Sequence, residues 1–229
     1  MTGNPLRWLC AHVFRQRQGF RCLFASILMA AALSVTAAAN PLEGTDCFSP
    51  DVARRVAGCS ALLESKQFDD ATRAAIFAQR ALAYAIMGQN ETAIGDYNTS
   101  LTLDPNSSIV RNNRAWSLYK LGRGAIGRAD VEMALQLDPT SEHAYDTRAH
   151  IRHEAGEADG ALDDYRRAMR FGGPRMVKPY QCGLQSHGLY SGPLSGLESD
   201  ELHFALEACV KRRTCDPLPA DEECRPSTS

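Results

Sequence analysis

The residues best suited to chemistry gather in one short stretch, where His143, Asp146, His150, His153 and Glu154 stand close together. On a helix His150 and His153 share a face with His143, and the two carboxylates lie beside them. Imidazole and carboxylate groups so placed are zinc or nickel ligands in kind. A hydrolytic metal site also needs a base beside its bound water. His150-Ile151-Arg152-His153-Glu154 lacks the His-Glu-x-x-His order that supplies one. The spacing therefore predicts a polar, ligand-contacting surface, with no metal and no cofactor.

Other catalytic arrangements are missing in the same way. The chain has no Gly-x-Ser-x-Gly elbow and no glycine-rich phosphate loop ending in Lys-Ser or Lys-Thr. Gly122-Arg123-Gly124-Ala125-Ile126-Gly127 is rich in glycine, but no strand precedes it, and it reads as a helix-hairpin turn. Asp69-Asp70 and Asp163-Asp164 read as helix-end and surface groups rather than a hydrolytic pair. Cys182 and His187 imitate a thiol–base pair, yet oxidation would remove the nucleophile. The expectation is a protein that binds and does not catalyse.

The elements that position these residues announce themselves as internal self-similarity. Residues 74–107, 108–141 and 142–175 repeat with a period of 34. In register stand Arg80-Ala81, Arg114-Ala115 and Arg148-Ala149, then Gly88, Gly122 and Gly156. Ala93, Gly127 and Ala161 follow, with Asp96, Asp130 and Asp164, then Ser100, Ala134 and Ala168, and lastly Leu103, Leu137 and Phe171. Each block predicts two helices split at its glycine, roughly 74–87 and 90–103 in the first. Gly88 suits a left-handed helix end, and Leu103-Asp104-Pro105 stops the second helix. Ala81, Ala93 and Ser100 let two helix axes approach, while Leu82, Tyr84, Ile94, Tyr97 and Leu101 supply apolar contact. One hairpin cannot bury that surface alone. The fold class expected is all-α, a solenoid of stacked antiparallel hairpins with one concave and one convex face.

Arg80, Arg114 and Arg148 each precede Asp96, Asp130 and Asp164 by 16 residues. Across a hairpin these positions face one another, so the pattern predicts a three-rung arginine–carboxylate ladder rather than a row of arginines for a ligand. Ahead of the first block, Ser49-Pro50-Asp51 opens a capping helix whose stripe is Val52, Val56, Cys59, Leu62 and Leu63, and Asp69 or Asp70 caps the next helix.

The spacing over residues 74–175 resembles the tetratricopeptide repeat family. Its small, glycine, small, aromatic, small and proline positions are Ala81, Gly88, Ala93, Tyr97, Ser100 and Pro105 in the first block. In the second they are Ala115, Gly122, Gly127, Val131, Ala134 and Pro139, and in the third Ala149, Gly156, Ala161, Tyr165, Ala168 and Gly173. The family's early tryptophan is replaced by Phe77, Arg111 and Tyr145. The resemblance implies a scaffold or adaptor for a protein or peptide partner. The first helix of each hairpin lines the concave face, which places Ile109, Asn112, Trp116, Tyr119 and Lys120 beside His143, Asp146, His150 and His153 as the expected partner-binding surface.

The ends differ in composition. Residues 1–39 carry Arg7, Arg15, Arg17 and Arg21 and no acid; residues 22–35 are nearly all apolar or small, and Ala37-Ala38-Ala39 follows. This reads as a secretory signal peptide ending near Ala39, against a retained anchor as the rival reading. Its removal takes the net charge from −2 to −6, which disfavours nucleic acid or an anionic membrane as partner. The expected location is the periplasm or the exterior of a bacterial envelope, with no stable membrane span after cleavage. Six cysteines then remain, and in an oxidising compartment they read as disulfides. The pairing expected is Cys47–Cys59, Cys182–Cys209 and Cys215–Cys224.

The domain organisation expected is a leader over 1–39, an entry segment and capping helix over 40–73, three repeats over 74–175, and a stapled helical module over 176–229. In that module, one helix is expected over 177–187 and another over 199–212. Tyr180-Gln181-Cys182-Gly183-Leu184 with Gly188-Leu189-Tyr190-Ser191-Gly192-Pro193-Leu194-Ser195-Gly196 and the Ala205-Leu206 helix resembles a small peptidoglycan-binding-like domain. That resemblance implies weak cell-wall association as an alternative function. The competing reading is a helical cap that closes the solenoid.

Overall fold

The computed structural model describes residues 46–65, 67–212 and 214–218. The expected leader and cleavage site, residues 1–39, lie outside the described residues. After a 3-10 turn at Asp46–Phe48 come α1 (Val52–Glu64), α2 (Asp70–Ile86), α3 (Asn90–Leu103), α4 (Ser108–Lys120) and α5 (Gly124–Leu137). α6 (Glu142–Glu154), α7 (Ala158–Gly172), α8 (Pro174–Ser186) and α9 (Asp200–Val210) complete the described order. The fold is all-α, built of stacked hairpins α2/α3, α4/α5 and α6/α7, with further helices at the C-terminal side.

Local chemistry sets the helix ends. Asp51, Asp69, Ser107 and Ser141 each accept a backbone N–H of the following turn, satisfying donors that a helix start leaves orphaned. Gly88, Gly122 and Gly156 have φ of 75°, 70° and 80°. They end the first helix of each hairpin in a left-handed turn, after which Gln89, Arg123 and Glu157 donate back to Tyr84, Leu118 and Arg152 at 2.8–2.9 Å.

Close approach within a hairpin rests on small residues. A Cβ added at Gly127 would stand 3.0 Å from the Ala115 carbonyl oxygen and 3.1 Å from its Cα, so α4 and α5 touch backbone to backbone there. Ala81, Ala93, Ala134, Ala149, Ala161 and Ala168 are fully buried at the equivalent contacts.

The three-rung ladder is present. Arg80 donates to both oxygens of Asp96 at 2.7 and 2.8 Å, Arg114 to Asp130 at 2.7 and 2.6 Å, and Arg148 to Asp164 at 2.8 and 2.7 Å. Bidentate geometry of this kind fixes the register of two helices, while desolvation offsets much of its attraction. The rungs also reach outwards. Arg80 donates to Ser60 on α1 and Arg114 to Asn98 on α3, tying each hairpin to the element before it.

The C-terminal helices depart from expectation in two ways. The period carries one helix further than the composition change after Arg170 suggested. α8 begins at Pro174, directly after Gly173, and Tyr180 donates its hydroxyl to Asp146, 34 residues earlier. α8 thus stands where the first helix of a fourth hairpin would, with Gly183 in the small position. Nor do α8 and α9 own a separate core: Tyr180, Leu184, Leu202 and Leu206 belong to the same apolar cluster as Val131, Tyr145, Tyr165 and Met169.

The cysteine pairing is corrected in the same region. Cys47–Cys59 is bonded as expected, joining the 3-10 turn to α1. Cys209 is bonded to Cys215, so neither the Cys182–Cys209 staple nor Cys215–Cys224 forms. The chain reverses at the end of α9, where Arg212 N–H donates to the Cys209 carbonyl and Cys215 N–H to that of Arg212, bringing the two sulfurs together within six residues. Cys182 is disulfide-bonded as well. α8 and α9 meet through apolar side chains, not through a crosslink between Cys182 and Cys209.

Candidate partner-binding site

The first helices of successive hairpins touch, α2 with α4 and α4 with α6. Helical spacing puts Ile109, Trp116, Tyr119 and Lys120 of α4 on one face. Ile109 is 70% exposed, and the Lys120 ammonium lies 5.7 Å from the Trp116 ring, a cation–π contact. The Trp116 and Tyr119 rings are 5.2 Å apart, and His150 of α6 stands 5.3 and 5.5 Å from them. The structure therefore brings Trp116, Tyr119, Lys120 and His150 into one cluster across two hairpins.

The expected surface is not open along its whole length. His143 is exposed, but Asn112, Asp146, His150 and His153 are buried. The reason for the last three is the C-terminal segment, which sequence periodicity could not place. Tyr180 of α8 covers Asp146, and Asp216 accepts a hydrogen bond from His150 Nε2 at 3.0 Å. Between Tyr119, Lys120, His150, His153 and Glu154 on one side and residues 214–216 on the other is a cleft of about 320 Å³.

Charge in this cluster is set by burial and by neighbours. Burial works against a charge on His150, but the Asp146 carboxylate and then Asp216 outweigh it and raise the imidazole to about 9. The charged imidazole donates from both nitrogens, Nδ1 to the Asp146 carbonyl at 2.8 Å and Nε2 to Asp216 at 3.0 Å. Burial pushes the Asp146 carboxyl up, with His150 and Tyr180 pulling the other way. Asp216 is desolvated too, yet His150 holds its carboxyl below the usual range. Burial, followed by the charge of His150, lowers the His153 imidazole below its usual value. Tyr119 is raised to about 12 by burial and by the nearby carboxylates.

This is binding chemistry. A protonated imidazole, two aromatic faces and an ammonium can hold a peptide's side chains, and none of them is an activated nucleophile. Among the described residues no group of three or more His, Cys, Asp or Glu side chains is arranged to hold a metal ion. Tyr165, Tyr180, His187 and Asp216 were not among the expected site residues. The one signal that could have found Tyr180 is its place 34 positions after Asp146.

Comparison with known proteins begins with a negative result: no family model matches the chain. RNA polymerase II-associated protein 3 of Xenopus tropicalis is 26% identical over 100 residues, which is 44% of this chain and 15% of that protein. The human protein of that name is 25% identical over the same shares. Among solved structures, MamA superposes with a TM-score of 0.50 at 17% identity, covering 70% of this chain and 89% of that one. Over part of its length the chain is homologous to tetratricopeptide-repeat proteins. The homology is partial, since the chain spans only about 15% of the length of the curated relatives it matches. No comparison supports the peptidoglycan-binding resemblance of residues 177–210. In that segment the polar residues of the motif hydrogen-bond within the segment itself. The Gln181 side chain donates to the Leu197 carbonyl at 2.9 Å and accepts from Gly196 N–H at 2.9 Å, and Tyr190 donates to the Pro193 carbonyl at 3.1 Å.

Proposed function

We propose that this chain is an exported scaffold or adaptor that holds a protein segment on the inner face of its repeats, without catalysis of its own. The observation that carries the reading is the α4 stripe, where exposed Ile109 leads into the Trp116, Tyr119 and Lys120 cluster. An exposed apolar anchor beside aromatic rings is the surface that contributes disproportionately to peptide binding. Partial homology to RNA polymerase II-associated protein 3 supports a scaffold over an enzyme. Export is supported by the basic and apolar leader and by the disulfides Cys47–Cys59 and Cys209–Cys215, bonds that persist in oxidising compartments. The C-terminal helices serve as the cap of the solenoid, since their apolar faces continue its core.

The reading is tested with a partner captured from the native envelope on the full chain. Ile109→Ala and Tyr119→Ala variants that keep native circular dichroism and melting should lose about tenfold in affinity, equivalent to ~1.4 kcal/mol. If both bind as well as the parent, the inner face is not the site. Capture of peptidoglycan by the full chain, lost on altering α8 and α9 but not α4, would favour cell-wall association instead. Export is tested by N-terminal sequencing of the mature chain, which should begin near Asn40.

A further inference from the structure

Residues 214–216 line one cleft together with Tyr119 and Lys120 of α4 and His150, His153 and Glu154 of α6. Asp216 sets its carboxylate on His150 Nε2 at 3.0 Å, and its carbonyl accepts from His187 Nε2 at 2.8 Å. Cys215 and Pro217 tuck inwards beside it. His150 is 2% exposed beneath this segment, whereas the Asp216 side chain is 53% exposed above it. The contact is thus built on one side and open to water on the other. One short covalent loop, Cys209–Cys215, holds the segment in place. The facing groups come from every surrounding element: Tyr119 and Lys120 from α4, Asp146 and His153 from α6, Tyr165 from α7 and Tyr180 from α8.

We infer that residues 214–218 are a built-in occupant of a carboxylate-accepting site at His150, and that a partner segment presenting an aspartate-like side chain takes their place when they lift. This rests on the inner-face reading above and adds the chemistry of what binds there. The carboxylate preference follows from the occupant itself and from the two cations that face it, the His150 imidazolium and the Lys120 ammonium. Asp146, also close, balances His150 in the covered state. A neutral side chain in place of Asp216 would leave the imidazolium with one anionic neighbour instead of two, and a cationic one would meet it with like charge. The Cys209–Cys215 loop keeps the local concentration of the resident carboxylate high, so a partner competes against an intramolecular ligand.

The test uses the full chain with Trp8→Phe, which leaves Trp116 as its single tryptophan, 5.3 Å from His150. The probe is the peptide acetyl-Thr-Ser-Asp-Pro-Leu-amide, with its Asn counterpart as control, read by Trp116 emission. Freeing the occupant by Cys209→Ser with Cys215→Ser, or displacing it by Asp216→Lys, should tighten binding of the Asp peptide by about tenfold or more over the parent. The Asn peptide should gain nothing. Should the serine chain lose its native circular dichroism, Asp216→Lys with its disulfide intact decides the matter. Equal binding by parent and opened chain, no binding by either, or equal binding of both peptides overturns the inference. In that event Ile109→Ala still reports on the inner face with the captured partner, so the two readings fail separately.

Discussion

His150 Nε2 and Asp216 Oδ1 stand 3.0 Å apart although 66 residues separate them, so the last described segment closes on the third hairpin through an ion pair. With the folded imidazole raised to about 9, its charge contributes stability that is fully present below the unfolded value near 6.5 and lost as pH rises through 9. Between those values the parent should melt progressively lower, and His150→Gln should flatten that slope. Thermal melts at about pH 6, 7.5 and 9.5 check this. A parent whose melting does not fall across the window would refute the charged imidazole.

The ladder is uneven, and its third rung is the deepest. Asp164 has no exposed side-chain surface and takes both Arg148 and Arg152, the latter at 2.7 Å. Asp164→Ala strands two arginines and should cost about 3–5 kcal/mol in urea unfolding. Asp96→Ala, at a rung whose carboxylate keeps some solvent, should cost less. Equal losses would mean that burial does not rank the rungs.

Two helical glycines should respond in opposite directions. At Gly127 a larger side chain meets Ala115 backbone, so Gly127→Val should destabilise by about 1–3 kcal/mol. At Gly95 an added Cβ meets nothing within 4 Å, and Gly95→Ala should stabilise by up to about 1 kcal/mol through helix propensity. Denaturant midpoints of the two variants decide it.

Cys47 and Cys59 close a short loop at the entry to α1. Replacing both by serine should remove about 2–3 kcal/mol without changing the hairpins. Non-reducing peptide mapping should recover Cys47 with Cys59 and Cys209 with Cys215. Recovery of Cys182 joined to Cys209 would contradict the chain reversal after α9.

What the amino-acid sequence by itself determined is everything that repeats. A period of 34 places small residues, turn glycines and the Arg–Asp pairs at equal intervals, and such intervals specify hairpins because helix geometry converts spacing into faces. The ladder and the Trp116–Tyr119–His150 neighbourhood follow from that arithmetic, while the capping aspartates Asp51 and Asp69 follow from local helix-start chemistry ahead of the first block. Only the tertiary structure decided what lies beyond the repeat. Asp216 reaches His150 and Cys209 takes Cys215 because α9 ends in a reversal, and nothing periodic encodes where a reversed segment lands. Burial of Asp146, His150 and His153 depends on that landing. A helical face read from sequence is a direction, and whether it meets solvent or another part of the chain is settled by non-local packing.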